Sequence, residues 1–217
     1  MGQSLKIGIL GDFNFTYNSH HATNLAIDHS ANFLEIDINY YWIKLSEVAK
    51  YKTQSYSQYD GFIVAPGPYK NPFFLHGIIK EIIKQKKPTL ITGDGYKTFL
   101  DVLINTYRLN DNAEKLTITP HSKAFIHLYE NYSNIELTST RFSLYPQLID
   151  QLIEDIADIE AYNQFEDPEI ISLKNHPFFV SCGFCPQISS TRELPHPLFY
   201  TLFKACELEL DKSALAG

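Results

Sequence analysis

The chain has 217 residues, 44% of them apolar and 20% charged, the make-up of an ordinary globular protein and not of a disordered one. A formal net charge of −7, with Lys84, Lys86 and Lys87 as the only dense basic run, argues against a nucleic-acid or anionic-membrane footprint, which needs clustered cations. No stretch of about 18 apolar residues occurs, so no membrane-spanning helix is expected, and from the polar run Met1–Lys6 no apolar signal segment is expected either.

In chain order, Leu5–Leu10 (LKIGIL) reads as a buried strand ended by Gly11-Asp12. His20–Ala31 reads as a helix, and Phe33–Ile38, alternating apolar and acidic residues, as a second strand. Gly61–Ala65 (GFIVA) is an apolar run closed by Pro66-Gly67-Pro68. Phe74–Lys86 places Leu75, Ile78, Ile79, Ile82 and Ile83 at helical spacing. Pro88–Ile91 is a further strand, ending at Thr92-Gly93-Asp94-Gly95, and Tyr96–Tyr107 continues as a helix. Beyond it, Leu116–Thr119 and Ile135–Thr138 read as short strands. Tyr145–Ile159 reads as an amphipathic helix with Leu148, Ile149, Leu152, Ile153 and Ile156 as its buried stripe. Ile170–Leu173 and Phe178–Ser181 are strands around Asn175-His176-Pro177, and Pro197–Leu208 is a closing helix.

Strands alternating with helices in units of about 30 residues imply a Rossmann-like or flavodoxin-like, doubly wound parallel α/β sheet. With no linker and no repeat, one domain over residues 1–217 is expected. Ligands of such sheets bind beyond the carboxyl ends of the strands. That directs attention to four loops, 12–18, 66–70, 92–96 and 182–187.

The C-terminal stretch carries a resemblance. His176-Pro177-Phe178-Phe179-Val180, then Phe184-x-Pro186, then Pro195-His196-Pro197-Leu198-Phe199 and Phe203-Lys204-Ala205 resemble the class I glutamine amidotransferase family, in particular the C-terminal glutaminase domain of CTP synthase. Tyr59–Gly67 and Pro88–Gly95 are similar to two earlier segments of that domain, as is the opening strand. The resemblance implies the class I amidotransferase fold. The family's chemistry needs a cysteine on a strand-to-helix elbow, a histidine and a glutamate. Carried over residue by residue, these roles fall on Gly93, Cys185 and Gln187, none of which can fill them. Glutamine hydrolysis by the family mechanism is therefore not expected. Pro68 also lacks the backbone N–H that an oxyanion site would draw on.

Other readings start from the residues themselves. Cys182-Gly183-Phe184-Cys185 is a CxxC, which serves as a redox dithiol, as half of a zinc site, or as two small buried residues. With Cys206 as the one further thiol and scattered histidines, a zinc site is not expected, and three cysteines build no disulfide framework. Asp94 is a candidate nucleophile or base, or a cap for the helix that follows. His20-His21 are ligand candidates or an exposed helix start, His176 and His196 are framework residues of His-Pro turns, and His121 and His127 have no identifiable partner. Gly67, Pro68, Tyr69, Lys70, Thr92, Asp94 and Tyr96 are candidate pocket residues. No phosphate loop of GxxxxGK[ST] type is present, and no cofactor is expected. A cytoplasmic protein is expected that binds a small molecule or a partner protein in the cleft, with self-association into a homo-oligomer also open. A thiol-dependent enzyme using Cys182 and Cys185, or a glutaminase with a relocated nucleophile, are the alternatives.

Overall fold

Six residues of Leu5–Leu10 make β1, at the heart of the molecule because nearly every one of its side chains is apolar and buried. The computed structural model describes residues 4–48, 56–109, 144–163 and 165–215. The strand expectations at 116–119 and 135–138, with His121 and His127, lie outside the described residues. From β1 the chain runs through α1 (Asn18–Leu34), β2 (Ile38–Ile43), the single turn α2 (Leu45–Val48), β3 (Gly61–Val64), α3 (Pro72–Lys84), β4 (Thr89–Ile91) and α4 (Gly95–Tyr107). After the undescribed segment come α5 (Pro146–Asp155), β5 (Ala157–Tyr162), β6 (Pro168–Leu173), β7 (Phe179–Cys182), α6 (Pro186–Ser189) and α7 (Pro197–Leu215).

The strands form one seven-stranded sheet in the order β2-β1-β3-β4-β7-β6-β5. β2, β1, β3, β4 and β7 run parallel. β6 pairs antiparallel with β7, and β5 antiparallel with β6, so the parallel sheet read from the sequence carries an antiparallel hairpin at one edge. Such an addition is common on parallel sheets. Helices cover both faces. One core packs Ala26 and Ile27 of α1 and Leu198, Phe199, Leu202 and Phe203 of α7 against Ile7, Ile9, Ile63 and Leu90. The other packs Leu75, Ile78, Ile79 and Ile82 of α3 and Phe99 of α4 against Leu10, Phe62, Val64 and Phe179. The Ile-rich spacing of α3 therefore does what its period implies, and Asn71 caps the helix by accepting from the Phe73 N–H at 3.1 Å.

Two element expectations are corrected. The strand expected at Phe33–Ile38 is instead the last turn of α1 plus a connection. The helix runs on to Leu34, Glu35 closes it at φ +56°, and the Phe33 ring packs on Tyr200 of α7 with centroids 5.1 Å apart. The edge strand is the aromatic run Ile38–Ile43. The helix expected through Ile159 stops at Asp155, and Ala157–Tyr162 becomes β5. Only Leu148 and Leu152 of the expected stripe are buried, and Ile153 is 43% exposed. The chain turns into the hairpin before that face can be used.

Candidate functional site

β1, β3, β4 and β7 all end on the same side of the sheet, and their following loops meet there. Thr92-Gly93-Asp94 turns the chain from β4 into α4. Gly93 adopts φ +56°, the left-handed region that a side chain resists. A Cβ built on it would lie 2.7 Å from the Pro66 carbonyl oxygen and 2.9 Å from the Pro66 Cβ. The loop after β3 is thus packed directly onto the elbow, and the backbone ties them together. The Asp94 N–H donates to the Pro66 carbonyl at 2.9 Å, and the Gly93 N–H donates to the Phe184 carbonyl at 3.2 Å. In a nucleophile elbow the N–H after the nucleophile stabilises the developing oxyanion; here that donor, on Asp94, is already bonded within the chain.

The loop over the elbow is Pro66-Gly67-Pro68-Tyr69-Lys70. Gly67 has φ +89° and a cis peptide bond to Pro68. The Asp94 carboxylate lies against it, with Oδ2 2.7 Å from where a Gly67 Cβ would be. The expected capping role of Asp94 is not seen. The residue already has helical dihedrals (φ −60°, ψ −19°) and makes no side-chain cap bond, whereas an N-cap needs extended backbone for its side chain to fold back. Tyr69 donates its hydroxyl to the Ala65 carbonyl. Burial first, then Asp94 and Cys185, hold its phenol well above the usual range. Pro68 and Lys70 are exposed.

Of the other candidate pocket residues, Thr92 is fully buried and donates its hydroxyl to the Val64 carbonyl at 3.0 Å. Tyr96 is 1% exposed and donates its hydroxyl to the Pro168 carbonyl at 2.9 Å. Both are built into the walls. Cys182 ends β7, fully buried, with Sγ 3.6 Å from the Ile91 and Phe184 carbonyl oxygens. Cys185 follows in the loop, half-buried, at the N-terminal boundary of α6. All three cysteines are thiols; burial before all else pushes the Cys206 thiol far up. Gln187, in the single turn of α6, is 2% exposed. Among the described residues, no group of three His, Cys, Asp or Glu side chains is placed to hold a metal ion.

His20 is brought into the site from α1. Its Nδ1 accepts the Asn14 N–H at 3.0 Å and its Nε2 faces the Gly67 carbonyl at 3.3 Å, so Nε2 carries the proton in this arrangement. The ring is 1% exposed and packs against Trp42 (4.9 Å), Tyr17 (5.3 Å) and Phe13 (5.9 Å). Burial, its largest influence, lowers its pKa. His20 therefore bridges the loop after β1 to the loop after β3. His21 is exposed and bonds the Phe15 carbonyl at 2.8 Å. His196 accepts the Leu198 N–H at 3.2 Å at the start of α7, and His176 packs edge-on against Phe179, both framework positions.

Sequence reasoning missed Glu169. This β6 carboxyl is 7% exposed, accepts from Asn163 Nδ2 at 3.4 Å, and lies 2.5 Å from where a Gly183 Cβ would be. Burial, then Asp167, raises its pKa to about 7. An acidic residue in a strand with Ile170 and Ile171 beside it was the available signal.

No family model matches the chain. Curated relatives that match over a short segment include CTP synthases. One from Prochlorococcus marinus (strain NATL1A) is 44% identical over 45 residues, covering 21% of this chain and 8% of the relative. One from Pelagibacter ubique (strain HTCC1062) is 50% identical over 40 residues, covering 18% and 7%. The matched segment thus spans less than a tenth of those relatives' length. Among solved structures, the glutaminase domain of Trypanosoma brucei CTP synthase with bound acivicin superposes with a TM-score of 0.74 at 14% identity, over 94% of both chains. A GMP synthase protein from Thermoplasma acidophilum gives 0.64 at 12% identity, over 99% of this chain and 100% of the other. The chain has the mixed α/β fold of class I glutamine amidotransferase domains, and it resembles the CTP synthase glutaminase. No described helix is long and apolar enough to cross a membrane.

Proposed function

We propose that this chain is an amidotransferase-like protein that does not hydrolyse glutamine by a Cys-His-Glu mechanism and instead binds a small molecule or a partner protein in the cleft above the elbow. The positions that the resemblance assigns to the triad are Gly93, Cys185 and Gln187. The observation that carries the reading is the contact at Gly93, where the Pro66 carbonyl stands in the space a nucleophilic side chain would need. The internal use of the Asp94 N–H supports it, since an oxyanion would find that donor engaged. The loops around the elbow still carry a half-buried thiol at Cys185 and the exposed Lys70 ammonium, groups suited to recognition.

The test is release of glutamate and ammonia from glutamine by the purified protein, run beside Cys185→Ser. No release from either supports the reading. Release that vanishes in Cys185→Ser would overturn it, because a nucleophile would then stand where the family carries its base.

A further inference from the structure

Among the described residues, Gln187, Ser181 and His176 carry buried side-chain atoms without a hydrogen-bond partner, and Gln187 is the one in the segment that follows β7 toward the elbow. Thr92, Tyr96 and His20 each reach a backbone carbonyl. Gln187 is 2% exposed, and neither its Nε2 nor its Oε1 has a hydrogen-bond partner among the described residues. Its segment is well anchored: the Ile188 N–H donates to the Cys185 carbonyl at 3.0 Å, and the Phe184 carbonyl accepts the Gly93 N–H at 3.2 Å. The carboxamide therefore stands on the stretch of chain that abuts the elbow. An apolar side chain of the same size would fill its volume without the penalty of burying unpaired donors and acceptors. A polar group held at that penalty calls for an explanation, and the place of Gln187 beside the elbow is what distinguishes it from His176 in its framework turn.

We propose that Gln187 is a ligand-recognition residue whose carboxamide pairs with a planar ligand edge carrying a donor beside an acceptor, as in a primary amide or a nucleobase. A carboxamide offers one acceptor oxygen and two N–H donors in a plane, and it pairs with such an edge in two-point fashion. A carboxylate, which only accepts, satisfies half of it. This assignment rests on the cleft being a binding site, and it names the chemistry that the site selects.

The experiment measures thermal unfolding of the full chain and of Gln187→Met, with Gln187→Leu as a second variant should Met fail to pack. Without ligand, both substitutions remove an unpaired buried amide and are expected to raise the midpoint by about 3–10 °C. With uracil or propionamide at millimolar concentration, the parent midpoint rises and the variants' midpoints do not move. Propionate and acetone, which lack the donor, shift neither. A lower midpoint in both variants overturns the proposal, because the amide is then already satisfied in the resting protein. Raised variant midpoints with no parent response to either edge-bearing probe overturn the ligand class. Glutamate release from glutamine would count against the reading of the preceding section and leaves these midpoints unaffected, so the two failures are distinguishable.

Discussion

Replacing Gly93 by alanine tests the closure of the elbow most directly. The residue sits at φ +56°, and a new Cβ would meet the Pro66 carbonyl oxygen at 2.7 Å and the Pro66 Cα at 3.0 Å. The left-handed conformation costs an L-residue about 1–2 kcal/mol. Forcing a methyl against backbone adds about 1–3 kcal/mol, and the two together amount to about 2–5 kcal/mol. For a chain of this size about 1 kcal/mol moves the unfolding midpoint by about 2–4 °C, so a fall of about 5–15 °C is expected. Gly77→Ala is the internal control. Gly77 lies within α3, and a Cβ there meets nothing within 4 Å, so the same chemical change is expected to stabilise by about 0.5–1 kcal/mol. Urea unfolding followed by circular dichroism reads both variants on one scale. Gly93→Cys is expected to show the loss of Gly93→Ala and to gain no glutaminase activity. If Gly93→Ala were as stable as the parent, or Gly93→Cys folded normally and released glutamate, the elbow would have room for a nucleophile and the reasoning would fail.

Glu169 gives a pH-dependent expectation. Its pKa rises from an ordinary 4.5 to about 7 on folding, so ionisation is harder in the folded state and stability falls as pH climbs from about 4.5 to about 7, by about 3 kcal/mol in all. Glu169→Gln should lack that fall and exceed the parent at pH 8 in urea unfolding; a parallel decline in both would refute it. Burial, the largest influence, lowers the His176 pKa from 6.5 to about 4, so the unfolded chain takes its proton first and stability drops as pH falls through that window. With screening this amounts to about 1–2 kcal/mol, and His176→Phe should flatten the acid limb. His20→Leu removes the acceptor of the Asn14 N–H. It is expected to cost about 1–3 kcal/mol and to raise hydrogen exchange at the Asn14 amide; unchanged protection there would show that the bridge does not hold the loop.

The parallel half of the fold was legible because its strands are buried on both faces and read as unbroken apolar runs, LKIGIL and GFIV, while α3 repeats isoleucines at helical spacing. The antiparallel hairpin was not. β5 reads ADIEAY, and its burial follows no clean alternation; its register also shifts between Ile159 and Ala161, so neither template fits. The loops of the site could be located by the rule that ligands sit beyond the strand ends, and the resemblance pointed to Gly93, Cys185 and Gln187. What no sequence pattern carries is the approach of Pro66 to Gly93, the helical start that keeps Asp94 from capping, or the burial of Glu169 against Gly183. Each depends on two segments far apart in the chain arriving at one place.

The pairing of β4 has a consequence for how the molecule is made. This central strand has three residues, and on one side it meets β3, its immediate predecessor in the sheet. On the other it meets β7, where Thr89 faces Phe179 and Ile91 faces Ser181. Contacts so distant in sequence form late and slow the search for the native state. A nascent chain that has emerged only as far as β6 therefore carries an open, apolar edge in the middle of its future core, the kind of edge that recruits strands from other chains. Fragments ending before Phe179 should aggregate, and the last fifth of the sequence completes the sheet from its interior.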